Sequence, residues 1–351
     1  MIARALKAGF VGGISLALIA ASDPPETAPD KAPDYPEPPP AIALRITDGR
    51  LELGQFEYLK GFFPDASEAE KASYAAIADW VKACKAKGQA RLDAELTALG
   101  IASVESPLLR ASTACLQVVM GDQFKDFTTY AELAEARRGA RLVFDTLVQS
   151  VKRARERMPS LGPDDFEGEI ERRTMADQML RGAYRWGLGG MAAPRTPQLT
   201  AKERKVFMAL LNSEIMRVDR ANTEWLKAQV MERGWPRKSE VGKRAAFGAW
   251  LLTQHADLDP AFQRRALGLM EPLLAEDEIS KINYASLYDR TARALNIKQL
   301  YGIQLRCKEG RWVPYPIENP EGVDERRADI GLGPMAEHLS RNSRPCSSQG
   351  G

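Results

Sequence analysis

Two capping boxes constrain the architecture of this chain more than any other feature. In Ser67-Glu68-Ala69-Glu70, and again in Thr200-Ala201-Lys202-Glu203, a hydroxyl residue is followed three positions later by Glu. Each side chain of such a pair satisfies an amide left open at a helix start. Behind the first box Tyr74, Ile77, Trp80 and Val81 recur at helical spacing, and a stop is expected at Gly88. Behind the second, one long helix is expected to end at Gly234. Further helices are predicted over 90–99, 107–120, 130–157 and 164–186. Ser239 is expected to cap a helix carrying Val241, Ala245, Leu252 and His255. Asp259-Pro260 sets a capping residue before a proline at the first helical position. Ser280 opens an amphipathic segment through Leu287 and Ala294. After Tyr301-Gly302 the helical period breaks. There Gly, Pro and aromatic residues predict a short hairpin and an irregular wrap. No parallel βαβ arrangement is supported. The fold class read from the sequence is therefore all-α or mainly α, a multi-helix bundle with a short β-hairpin or irregular C-terminal wrap.

At 351 residues the chain exceeds one average domain, so two are expected. The run Met158-Pro159-Ser160-Leu161-Gly162-Pro163 divides the body into helical regions 43–160 and 163–340. Residues 1–21 read as a signal peptide, with Arg4 and Lys7 ahead of an apolar run and small residues at its end. Residues 22–42, rich in Pro and acidic side chains, read as an extended linker, and 341–351 as a frayed tail. Without Arg4 and Lys7 the 49 basic side chains fall to 47, equal to the 47 acidic ones. A neutral mature chain lacks the basic footprint of a nucleic-acid binder, so no nucleic-acid partner is expected. Membrane contact is expected only through an uncleaved signal, and the reading is of a periplasmic or secreted protein. In such a compartment disulfides are permitted. Cys84–Cys115 is the favoured pair, closing a loop of about thirty residues worth roughly 3–4 kcal/mol; buried thiols are the alternative. Cys307 and Cys346 flank the C-terminal region, their pairing left open and Cys346 readable as a free thiol in a polar tail.

Several chemistries are missing from the sequence. It holds no GxxxxGK[ST] loop, no GxSxG elbow and no HExxH. Gly187-Leu188-Gly189-Gly190 follows a helical pattern rather than a strand, so it is not a dinucleotide fingerprint. With only His255 and His338 and no cysteine cluster, a standard zinc site is not expected. No cofactor and no metal are predicted.

What stands out is Gln254-His255-Ala256-Asp257-Leu258-Asp259-Pro260, at the junction of two predicted helices. Residues 234–263, then Asn283 to Arg290, Tyr301 to Gln304 and Pro316 to Met335, resemble the bacterial DUF6624 family of unknown function. Members of that family carry Gln-His-Ala-Asp followed by Asp-Pro-x-Phe-Gln, and later Arg-Tyr-Gly-Thr-Gln. Asp177-Gln178 with Arg181, and Asp219 with Asn222 and Thr223, match its Asp-Gln-x-x-Arg and Asp-x-x-Asn-Thr elements. The resemblance covers roughly residues 165–340 and implies no known activity. Leu300 and Ile303 depart from it, standing where Arg and Thr are usual.

At the end of a helix, beside Asp257 and Asp259, the imidazole of His255 is suited to proton transfer. Two readings fit these residues. In the first, the protein is a cofactor-independent acid–base hydrolase or lyase acting on a small polar or peptide-like envelope molecule. His255 carries the proton, Asp257 orients it and Asp177 is a second carboxylate. Arg181, Asp219, Asn222, Gln254, Tyr301 and Gln304 are the candidate ligand-binding residues. In the second, the protein is a non-catalytic ligand-binding or interaction module in which His255 locks a helix corner. Their discriminator is whether these side chains converge on one cleft.

Overall fold

Helix-forming stretches dominate the computed structural model, which describes residues 35–47, 50–52, 56–105, 113–160, 162, 164–184 and 198–346. Residues 1–21, read as a signal, and most of the expected linker lie outside these residues. The chain is mainly α, with two small antiparallel two-stranded ribbons. After a short α1 (Pro40–Ala43), β1 (Ile46–Thr47) pairs with β2 (Arg50–Leu51), a ribbon the sequence did not announce.

Helix α2 (Glu68–Thr97) opens with the expected capping box at Ser67 and Glu70. It does not stop at Gly88, and the helix predicted over 90–99 is its continuation. The reason is one buried stripe, Ile77, Trp80, Cys84, Gly88, Leu92 and Leu96, which keeps a single helical period through the glycine. The indole of Trp80 donates to the Pro36 carbonyl at 2.8 Å, and the Tyr35 ring meets it edge-on. The Pro-rich segment is thus anchored to the body from Tyr35 onward.

Of the helix expected over 107–120, residues 106–112 lie outside the described set. The chain continues as α3 (Thr113–Leu116) and a 3₁₀ turn at Gly121–Phe124. Next come α4 (Tyr130–Arg157), α5 (Phe166–Gly182) and the long α6 (Ala201–Arg233), whose capping box at Thr200 and Glu203 is formed. Helix α7 (Lys238–Gln254) is bent at Gly242, which takes a left-handed φ of 74°. Ser239 does not cap it: Arg237 holds that position without a side-chain bond, while the Ser239 N–H donates to Glu278. Asp259 caps α8 (Pro260–Met270) and Ser280 caps α9 (Lys281–Ala294), as expected.

Helix α6 packs against α4, α5 and α7, so residues all round it are buried, from Val206 and Leu210 to Leu226 and Val230. One apolar core joins α2, α3 and α4 to the first half of α6, and includes Leu180 of α5. A second joins Ile170 and the end of α6 to α7, α8 and α9. Residues 34–351 form one compact unit, and the 158–163 punctuation falls at the turn between α4 and α5. No described helix is long and apolar enough to cross a membrane.

The C-terminal wrap begins with the hairpin β3 (Leu305–Lys308) and β4 (Arg311–Pro314), followed by α10 (Val323–Asp329) and α11 (Met335–Arg341). Cys84 and Cys115 form the expected disulfide. Cys346 is not free: it is bonded to Cys307 of β3, and its N–H donates to the Gly310 carbonyl. The tail is therefore fastened to the hairpin as far as Cys346. Two disulfides in one chain fit an oxidising environment.

Candidate functional site

Asp177 and Arg181 stand one turn apart on α5, and both face α6 and the end of α7. The Arg181 Nε donates to Asp177 Oδ1 at 2.9 Å. Its Nη2 reaches both oxygens of Asp219 on α6, at 2.6 and 2.7 Å. One guanidinium thus bridges two carboxylates from different helices. His255, the C-cap of α7, turns its Nδ1 onto Asp177 at 3.1 and 3.0 Å from the two oxygens. Gln178 adds a 2.8 Å bond to the same carboxylate. The Asp177 side chain is 1% exposed, His255 14% and Asp219 14%.

This arrangement divides the two acids. Burial pushes the Asp177 carboxyl up, but hydrogen bonding and charge from His255, the Arg181 charge and the Gln178 bond together hold it below the usual carboxylate range. Asp219 goes the other way, pushed up to about 7. Its bond to Arg181 alone would lower it, but burial outweighs this, aided by the negative charges of Asp177 and Asp257. A guanidinium carries one charge and cannot fully compensate two carboxylates. Asp177, with His255 as a further partner, keeps its charge more easily.

An ionised carboxylate only accepts, so an ionised Asp177 takes its bond from Nδ1–H of His255, the tautomer that puts the lone pair of a neutral ring on Nε2. No described group hydrogen-bonds Nε2. His255 lines a cavity of about 640 Å³, together with Arg181, Asp219, Asp257, Tyr184 and Asn212. Val81 of α2, Leu116 of α3 and Met120 just after α3 line the same cavity.

The expected site residues separate into two sets. Asp177, Arg181, Asp219 and His255 converge. Asp257 lines the cavity but does not orient His255; that contact belongs to Asp177. The turn after α7 aims Asp257 at Arg290 of α9, whose Nε donates to Oδ1 at 2.7 Å and whose Nη2 meets Oδ2. Asn222 points elsewhere, accepting from Arg173, whose guanidinium lies over the Trp225 ring. Gln254 contributes its backbone carbonyl to the corner, where Nε2 of the fully buried Gln263 bonds the carbonyls of Thr253 and Gln254. Neither Tyr301 nor Gln304 lines the cavity. The Tyr301 N–H goes to Asp289 and its carbonyl to Arg327, while Gln304 is tied through its backbone to Gln299. Arg181, expected to anchor an anion, is engaged by two acids. Lys85, also on the cavity, has no carboxylate partner among the described residues. Sequence reasoning missed Lys85, Tyr184 and Asn212, which lie in no motif.

Ligand atoms of Asp177, Asp219 and His255 come within 4.8 Å of one another, a donor set of two oxygens and a nitrogen that suits a divalent cation. The Arg181 guanidinium already contacts both carboxylates, so a metal would have to displace it.

Residues 196–343 match the model of a family described as a family of unknown function, DUF6624. The match begins after α5, later than the resemblance read from the sequence. Asp219, His255 and Asp257 lie inside it; Asp177, Arg181 and the α2–α3 wall lie before it. No curated protein and no solved structure matches the chain.

Proposed function

We propose that this chain, with DUF6624 over its C-terminal segment, is an exported, cofactor-independent acid–base enzyme. A hydrolase or lyase of small polar or peptide-like envelope molecules fits it best. The observation that carries the reading is the Asp177 contact on Nδ1 of His255, a residue that lines the cavity and whose Nε2 has no hydrogen-bond partner among the described residues. In this reading Asp177 positions the ring and stabilises it when charged, and Nε2 takes a proton from substrate or water. Asp219, one short bond from Arg181, is the second proton-exchanging group. Two carboxyls driven apart by their surroundings are what such chemistry requires. Export is supported by the signal-like residues 1–21 and by the two disulfides.

A second reading, a non-catalytic binding module with a structural His255, draws on the same contact. A half-buried imidazole on a buried carboxylate also locks the corner between α5 and α7.

The test is the ring tautomer, read from long-range ¹H–¹⁵N correlation spectra with His338→Gln assigning the second histidine. The expected result is a neutral ring protonated at Nδ1, with a pyridine-type Nε2. The opposite tautomer, or a ring sealed from added ligands and reagents until the protein unfolds, removes the acid–base reading.

A further inference from the structure

The part of the cavity lining that comes from α2, α3 and the stretch after it is built as firmly as the polar end, by the part of the chain that precedes the family match. The N–H of Val119 donates to the Tyr58 hydroxyl at 3.3 Å, and that of Gly121 to the Tyr74 hydroxyl at 3.0 Å. The Gln117 carbonyl accepts from Ser213 of α6, and its side chain accepts from the N–H of Leu51 in β2. The Cys84–Cys115 bond ties α2, which carries Val81 and Lys85, to α3, which carries Leu116. A stretch fixed by backbone bonds, side chains and a disulfide is a preformed surface rather than a loop that collapses around whatever arrives.

That surface is mostly apolar. Val81, Leu116, Val119 and Met120 line the cavity together with Ile215 and Met216 of α6. Along α6 the lining residues Ala209, Asn212, Ser213, Met216 and Asp219 recur at one-turn spacing. Ala209 to Asp219 spans about 15 Å at the helical rise. The Arg181–Asp219 contact marks one level of this trough, and the 2.6 Å bond from Tyr184 to Asn212 marks another, nearly two turns of α6 away. The charges are sorted as well. Arg181 is held by Asp177 and Asp219, and Asp257 by Arg290, so Lys85 is the lining cation left to meet a ligand.

We propose that the ligand of this cavity is a small anionic amphiphile, whose apolar body lies along α6 against the α2–α3 wall and whose anionic head meets Lys85. The inference rests on the acid–base reading of the site but replaces its small polar or peptide-like substrate with an amphiphile as the class of molecule brought to His255. It depends on that reading for the ligand's fate and not for its binding. It also gives the N-terminal region a role: selecting the ligand that the family-matched segment would act on.

The experiment titrates full-length mature protein, labelled at the methionine methyls, with three probes below their micellar concentrations. These are decanoate, butyrate and decyltrimethylammonium. Decanoate should bind at least about 10-fold more tightly than butyrate, because the longer chain buries more methylenes. It should shift the methyl signals of Met120 and Met216. Lys85→Gln, on an exposed position, should weaken decanoate about 5-fold or more and leave decyltrimethylammonium unaffected. Equal affinity for decanoate and butyrate overturns the proposal. So does decyltrimethylammonium binding as tightly as decanoate, or binding that leaves both methionine signals unmoved. Decanoate binding with the opposite His255 tautomer would keep this inference and remove the acid–base reading. The expected tautomer without chain-length dependence would do the reverse.

Discussion

Two buried carboxylates, Asp177 and Asp289, organise different parts of the molecule by different means. Asp289, fully buried on α9, accepts from three backbone N–H groups of the wrap: Leu300 at 2.9 Å, Tyr301 at 3.2 Å and Ile303 at 2.8 Å. Asp177 is held by side chains from α5 and α7, one of which can exchange a proton. A ring of amides has one arrangement and no proton to move. A carboxylate facing an imidazole at the edge of a cavity has a second state available. Motif density alone would have ranked the two regions together. The partners separate them, assigning Asp289 to architecture and Asp177 to the candidate chemistry. Arg290, next to Asp289 in sequence, turns to the other region and holds Asp257, so α9 serves both.

The largest expected effect lies at the architectural carboxylate. Asp289→Ala should cost roughly 4–5 kcal/mol in urea unfolding, since it strands three amides around an empty buried site. The His255 tautomer should persist in the folded fraction. A change in that tautomer would break the separation drawn between the regions. Asp177→Ala should cost less, about 2–3 kcal/mol near pH 7, because Arg181 retains Asp219 while His255 and Gln178 lose their acceptor. Its pH dependence gives a sharper test. A depressed carboxyl contributes stability that is present above the unfolded value of about 4 and is lost as pH falls through the folded one. The gap between wild type and Asp177→Ala should therefore close below about pH 4. A gap constant down to pH 3 would mean that Asp177 acts by packing and not by charge.

Much of the fold was legible because its signals are local. Capping boxes at Ser67 and Thr200, the Asp259-Pro260 start and the broken period after Tyr301 each depend on a few neighbouring residues, and each is where it was expected. Gly88 misled because a glycine ends a helix only where the chain has reason to leave the core, and Leu92 and Leu96 give it none. At the site, motifs named Asp177, Asp219 and His255 as candidates but left open which of the candidates would meet. The identity of the orienting acid was not legible, since sequence distance favoured Asp257 over a residue on another helix. Tyr301 and Gln304 lie away from the cavity, in the wrap, which uses their backbones. Gly302 shows why: φ is 66°, and a Cβ there would meet the Met335 sulfur at 2.6 Å. The departures at Leu300 and Ile303 leave the ring around Asp289 formed for the same reason, because Asp289 reads their N–H groups. The apolar wall had no signal at all, since Val81, Leu116 and Met120 look like any core residues until the cavity beside them is known.

Asp219 has the smallest expected effect, and its sign is opposite to that of Asp177. Its carboxyl is raised to about 7, above the unfolded value of 3.8, so the folded state keeps its proton where the unfolded state has lost it. Stability from this group is full below the unfolded value and falls as pH rises toward 7. Above that the ionised acid remains in a buried site, sharing its guanidinium with Asp177. Asp219→Asn, which imitates the protonated form, should therefore be more stable than wild type at pH 8, by roughly 1–2 kcal/mol after the weaker bond to Arg181 is allowed for. The advantage should shrink as pH falls from 7 to 4. If Asp219→Asn is less stable at pH 8, Arg181 compensates both acids. Asp219 would then be a second architectural carboxylate like Asp289, leaving His255 as the one remaining candidate for proton transfer in the proposed reaction.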